Sequence, residues 1–208
     1  MKIAILPLCA LSPTNDAICA LPFGEAEHAR LLSMGSKKRK TQSLGALLAL
    51  RSLMGSTPLP ICRTPNGKPY FDAQQAPAFS LAHTDRLAVA LLGEAEEGRV
   101  GVDAEELRPF SHKERITTRF FTTEEQEILL QANTDDTFFK LWTSKEATAK
   151  LEGIGLAALL SKQAIEQPYL RHFRIRQNDT ETVLCLAAEH PIQNVEWYAP
   201  ADMQIQEI

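Results

Sequence analysis

Two short stretches of the 208-residue sequence carry groups whose types and spacing suit chemistry on a charged ligand. In WTSKEATAK, residues 142–150, a helix would place Trp142, Glu146 and Lys150 at i, i+4 and i+8 on one face. There the carboxylate and the ammonium can serve as a base and a cation. They can equally form a surface pair worth about 0.2–0.5 kcal/mol. In GVDAE, residues 101–105, a strand would turn Asp103 and Glu105 to the same side. Neighbouring carboxylates repel, so this face needs either solvent or a cation. A hard divalent ion such as Mg²⁺ takes oxygen ligands and usually retains waters and substrate phosphates.

Cations are concentrated elsewhere. Arg30, Lys37, Lys38, Arg39 and Lys40 form a cluster that reads as a solvated helix start or as a phosphate site. Lys68 sits in TPNGKPYF, where Gly67 and Pro69 shape a turn that can present an ammonium beside backbone amides. His83 ends FSLAH, a place for a structural imidazole or, facing the carboxylate pair, for one that meets a phosphate or a proton-bearing group. The net charge of −4 offers nucleic acid no general attraction, so any anionic ligand must be met by a local cluster.

Positioning these groups requires both strands and helices. MKIAILP reads as a first strand rather than a secretion signal, because Pro7 interrupts the apolar run and no small-x-small site follows. No window approaches the roughly 18 apolar residues of a membrane span. Helices are predicted over 24–35, 37–55, 122–133 and 134–153, the second with an apolar stripe of Leu44, Leu47, Leu48, Leu50 and Met54. STPLP ends that helix, Thr122 caps the third, and Gly153 and Gly155 stop the fourth. Strands are predicted over 79–84, 87–93 and 99–105, the last two as a hairpin, and again over about 169–176, 181–188 and 193–199. This is an α+β pattern of two lobes, 1–100 and 101–208, each with helices on an antiparallel sheet and a cleft between. Cys9, Cys19, Cys62 and Cys185 lack a CxxC or disulfide spacing and are expected as free thiols of a cytoplasmic protein.

Taken in chain order, NGKPYF, FSLAHT, GVDAE and LWTSKEATAK resemble the signature set of the 4′-phosphopantetheinyl transferases. The resemblance is to the long single-chain class, built like two fused copies of the acyl-carrier-protein synthase fold, and runs from about residue 24 to 155. It implies two pseudo-symmetric lobes, the first binding coenzyme A and the second carrying the metal and the catalytic helix. The implied reaction moves phosphopantetheine from coenzyme A to a serine of an apo acyl, peptidyl or aryl carrier protein, releasing adenosine 3′,5′-bisphosphate.

Carried over residue by residue, Asp103, Glu105 and Glu146 match the Mg²⁺ carboxylates, with Mn²⁺ as the alternative ion. Glu146 also matches the proposed base, and Lys150 the lysine at the transferring phosphate, with His83 beside them. Arg30, Ser43, Gly67, Lys68, Pro69, Ala82, His83, Thr84 and Lys150 match positions around coenzyme A. The family usually has serine before the histidine, where this chain has Ala82, so one hydroxyl is missing and backbone amides or Thr84 would replace it. A weakly active or inactive coenzyme A or carrier-binding homologue is the alternative function. Trp142 is expected to pack the helix, and Lys145 to touch the ligand's edge or be solvated. HKERITTRFF, residues 112–121, would dock an acidic carrier through Lys113, Arg115, Arg119, Phe120 and Phe121. The resemblance also implies a monomer.

Overall fold

The period-2 alternation of the strands decides how the layers stack. The computed structural model describes residues 1–55, 59–109, 112–161 and 168–208. In chain order the first half holds β1 (Lys2–Pro7), α1 (Asn15–Cys19), α2 (Glu25–Leu32), α3 (Lys37–Leu53), β2 (Ile61–Arg63), β3 (Pro69–Phe71), β4 (Phe79–His83) and β5 (Leu87–Leu92). The second half holds β6 (Val100–Glu106), α4 (Lys113–Phe120), α5 (Thr123–Ala132), α6 (Asp135–Glu152), α7 (Leu156–Ser161), β7 (Tyr169–Gln177), β8 (Thr180–Ala188), β9 (Glu196–Tyr198) and β10 (Gln204–Glu207). The fold is mixed α and β, as the pattern of elements predicts.

Two four-stranded sheets form, ordered β4-β5-β1-β9 and β10-β7-β8-β6, with β2 and β3 as a separate pair. Ile3, Ile5, Val89 and Leu91 of the first sheet share one core with Val100, Val102, Phe173, Ile175, Leu184 and Leu186 of the second. The sheets therefore face each other through every second residue. The residues between point outward to the helices. Ala4 and Ala90 meet Leu44, Leu47 and Leu50 of α3, while Cys185 and Ala187 meet Ala147 and Leu151 of α6. Small residues on the outer faces let both helices lie close.

The predicted hairpin between 87–93 and 99–105 is not formed. β5 pairs with β1 and β4, β6 pairs with β8, and a short 3₁₀ turn at Ala95–Glu97 carries the chain from one sheet to the other. Both segments are apolar at alternate positions, and a hairpin and a sheet crossover satisfy that pattern equally. The predicted last strand is also reassigned: β9 runs parallel to β1, pairing Lys2 with Glu196, so the chain returns to the first sheet there before β10 joins the second. The short elements α1, β2, α7 and β10 have too few residues to show a period. Ser56, Thr57 and Pro58 of the predicted helix stop lie outside the described residues. Among those described, no helix is long and apolar enough to cross a membrane, and all four cysteines are free.

Candidate active site

Because Val100, Val102 and Ala104 turn into the shared core, Gly101, Asp103 and Glu105 fall on the side facing α6. Gly101 is required there: a Cβ would stand 2.0 Å from the Ala147 carbonyl oxygen and 2.7 Å from the Leu151 nitrogen. The helix is fixed at its ends. The Thr134 hydroxyl accepts from the Thr137 N–H, and Gly153 closes the C-terminus at φ +68°. This seats Trp142, Glu146 and Lys150 over the strand.

Lys150 Nζ donates to Asp103 Oδ1 at 2.7 Å, and Trp142 Nε1 donates to Glu105 Oε1 at 3.2 Å. Trp142 therefore does more than pack; it fixes one carboxylate. Asp103 Oδ2 is buried with no partner. Burial, then the Asp103 charge, push Glu105 up to about 7, and the same two causes raise Glu146 against the opposing pull of Lys150. The three carboxylates thus feel one another. Among the described residues, however, no three His, Cys, Asp or Glu side chains converge into a metal-binding group. They form an open acidic face.

A cavity of about 310 Å³ adjoins this face, and into it come Arg30 from α2, Ser43 from α3, Gly67 and Lys68 from the turn before β3, Pro69 at the start of β3, His83 from β4, and Lys150. The turn is clasped to α6: Asn66 Nδ2 donates to the Gly153 carbonyl at 3.1 Å and Lys68 Nζ to the Leu151 carbonyl at 2.7 Å. An ammonium at a helix C-terminus also meets the negative end of its dipole. Burial, then the Arg99 charge, lower Lys68 to about 8. Partial desolvation by the cavity walls, then the Lys150 charge, lower His83, which favours neutral imidazole.

Three sequence expectations lie elsewhere. Ala82 is 3% exposed and packs in the core between the sheets, so a side chain at this position does not line the cavity. Thr84 Oγ1 accepts from the N–H groups of Arg86 and Leu87 and stands in a separate cleft shared with His83 and Glu105. Lys145 is neither solvated nor at the cavity. It pairs with Glu125 at 2.7 Å and lies over the Phe121 ring, tying α6 to α5.

Sequence reasoning missed Arg63 and Asn66, which line the same cavity, and the buried Glu27, which binds both Arg30 and Arg63. No periodic signal marks an arginine at the end of a three-residue strand. On α4, Arg115 and Arg119 are exposed. The Arg119 guanidinium covers the Phe120 ring at 5.1 Å, and that ring meets Trp142 edge-on at 5.8 Å.

Part of the chain is similar to known proteins. Residues 99–198, which include Asp103, Glu105, Glu146 and Lys150, match the 4′-phosphopantetheinyl transferase superfamily. The chain is 35% identical over 99 residues to 4′-phosphopantetheinyl transferase HetI of Nostoc sp. strain PCC 7120, covering 45% of this chain and 41% of that protein. It is 37% identical over 101 residues to psf-1 of Bacillus pumilus, covering 46% and 40%. It is 34% identical over 113 residues to AcpT of Escherichia coli K12, covering 51% and 56%. The chain thus spans about half the length of the curated relatives it matches. Over residues 99–198, the stretch that supplies the acidic face and its helix, the chain is similar to the 4′-phosphopantetheinyl transferase superfamily.

Proposed function

We propose that this protein is an enzyme that transfers 4′-phosphopantetheine from coenzyme A to a serine of an apo carrier protein. The observation that carries the reading is the junction of a cation-lined cavity with a half-buried acidic face, both contacted by Lys150. The cavity's arginines, lysines and histidine suit the phosphates of coenzyme A. In the reaction the serine oxygen would attack the phosphorus bearing pantetheine. The bond from that phosphorus to the bridging oxygen would break, and adenosine 3′,5′-bisphosphate would leave.

Asp103, Glu105 and Glu146 suit a divalent cation, Mg²⁺ or alternatively Mn²⁺. Three observations support the fit: an unpartnered buried oxygen on Asp103, and the raised Glu105 and Glu146, whose ionised forms a cation would favour. When bound, the ion would neutralise charge on the pyrophosphate. Glu146, half-buried and raised by burial and the Asp103 charge, would take the serine proton. Lys150 would hold charge on the transferring phosphate, and His83, kept neutral, would donate a hydrogen bond to it.

The carrier would approach over α4, where Arg115 and Arg119 suit an acidic helix. The two sheets, each covered by one long helix, α3 or α6, suit a pseudo-symmetric two-lobed fold of the long single-chain class. A non-catalytic coenzyme A binder is the second reading, but its sequence support, Ala82, faces the core rather than the cavity.

Incubation with several apo carrier proteins, coenzyme A and Mg²⁺ tests the proposal. Mass spectrometry should find phosphopantetheine added to the carrier serine. No addition to any carrier would overturn the transferase reading.

A further inference from the structure

Across the second sheet the register sets Asp103 of β6 beside Cys185 of β8, and Cys185 beside His172 of β7. The three side chains form a row on the face that α6 covers. Cys185 lies beneath the helix with Ala147 and Leu151, so Asp103 falls on one flank of α6 and His172 on the other. On that far flank Ser144 Oγ stands 2.8 Å from His172 Nε2 and donates to the Lys140 carbonyl at 2.7 Å. A hydroxyl has one proton to give, so the His172 Nε2–H is the donor to Ser144. Burial, then the Lys140 charge, lower His172, which favours the neutral ring. The backbone is held too, since the His172 carbonyl accepts from the Ile208 N–H at 3.0 Å.

Ser144 and Glu146 lie about 200° apart round α6, so what holds one flank sets the place of the other. The near flank is tied by Lys150 to Asp103 and by Trp142 to Glu105. In the reaction proposed above Lys150 turns to the phosphate, and its tie to Asp103 is given up. The far-flank ties take no part in that chemistry: besides His172 with Ser144, Arg174 Nη2 donates to Asp136 Oδ1 in the first turn of α6. The seam between the flanks, Ala147 and Leu151 on Cys185 and Ala187, sets the distance from helix to sheet and does little to oppose rotation about the helix axis. A roll of about 10° moves a carboxylate about 6 Å from that axis by about 1 Å. A misplacement of about 1 Å can cost about 10²-fold in rate.

We propose that His172 and Ser144 are positioning residues for Glu146: their hydrogen bond fixes the roll of α6 and so keeps the Glu146 carboxylate in place while Lys150 is engaged elsewhere. This rests on the base role proposed for Glu146. Neither residue touches substrate; both act through the helix. The same roll seats Trp142, which shares the near flank and donates to Glu105.

Steady-state kinetics on an apo carrier, well below the melting temperature of each variant, tests the assignment. His172→Phe keeps a ring and removes the donor; it should lower kcat about 10- to 100-fold and leave coenzyme A affinity and the carrier Michaelis constant within about twofold. His172→Gln, which returns an N–H donor, should restore most of kcat. Ser144→Ala should match His172→Phe and add less than about twofold to it, because the two share one hydrogen bond. A normal kcat in His172→Phe, a loss of coenzyme A affinity as large as the loss of kcat, or a His172→Gln variant as slow as His172→Phe would overturn the assignment. Alanine favours helix, so Ser144→Ala decides the question if His172→Phe fails to fold. A second readout needs no turnover: the indole N–H resonance of Trp142, assigned with Trp142→Phe, should shift in His172→Phe and return in His172→Gln. If the unmodified protein modifies no carrier, the transferase reading falls, and an indole resonance that stays in place would then overturn the control of the α6 roll as well.

Discussion

Lys150 Nζ stands 2.7 Å from Asp103 Oδ1 while the second oxygen of the same carboxylate is buried without a partner. The face is therefore half-neutralised. Burial first, and then the Asp103 charge, push Glu105 and Glu146 up, while Lys150 pulls Glu146 down. A group that favours the ionised forms would relieve the remaining repulsion, which gives the site measurable behaviour without any substrate.

The first consequence is a pH dependence of stability. Glu105 sits at about 7 in the folded protein against an ordinary 4.5. Its favourable contribution is complete below the unfolded value and is lost as pH rises through about 7. The melting temperature should fall between pH 5.5 and 8, and Glu105→Gln should flatten that fall. Millimolar Mg²⁺ should raise the melting temperature more at pH 8 than at pH 5.5, because ionised carboxylates bind the ion. Scanning calorimetry checks this; a Mg²⁺ shift equal at both pH values, or absent, would count against the metal assignment.

Glu146→Gln keeps the shape of the side chain and removes both the base and the charge. Turnover on an apo carrier should drop about 10²- to 10⁴-fold, the span of general base catalysis. Stability should hold or rise slightly, since the amide no longer repels Asp103. Near-normal turnover would remove Glu146 from the base role.

The acidic face was legible in the sequence because strand and helix periodicities are local. Two positions apart in β6 and four apart in α6 suffice to predict which groups share a side. Their meeting was not legible from spacing alone, since it depends on Gly101 letting α6 descend onto β6, a contact between distant segments. The predicted hairpin failed for the complementary reason. β5 and β6 are neighbours in sequence, but each finds its hydrogen-bonding partners elsewhere, β1 and β4 for one and β8 for the other. Glu27 was hidden because its partners come from α2 and β2, and a buried acid looks in sequence like any other glutamate on an amphipathic helix.

Gly101→Ala tests the close approach directly. The clashing atoms are backbone, the Ala147 oxygen at 2.0 Å and the Leu151 nitrogen at 2.7 Å, so α6 must move as a unit. A loss of more than about 3 kcal/mol is expected, or failure to fold, at the upper end for overpacking. At Gly45 the nearest atom is the flexible end of Leu8 at 2.3 Å, followed by the Ala88 Cβ at 3.0 Å, so Gly45→Ala should cost less. Urea denaturation of the two variants ranks them; a milder effect at Gly101 would mean that the strand and helix are not locked together.

The α4 surface makes the last prediction. Arg115 and Arg119 are exposed, yet they differ in what lies behind them. Arg119 covers Phe120, whose ring meets Trp142, whose indole N–H holds Glu105. Reversing Arg115 to Glu should raise the carrier Michaelis constant about tenfold and weaken its salt dependence, because an exposed charge acts chiefly on association. Coenzyme A affinity should not change. Arg119→Glu should do the same and also lower turnover a few-fold, since releasing Phe120 loosens the aromatic contact that seats Trp142 against Glu105. Steady-state kinetics with carrier varied at saturating coenzyme A separates the two effects. An unchanged carrier Michaelis constant in both variants would move the docking surface away from α4.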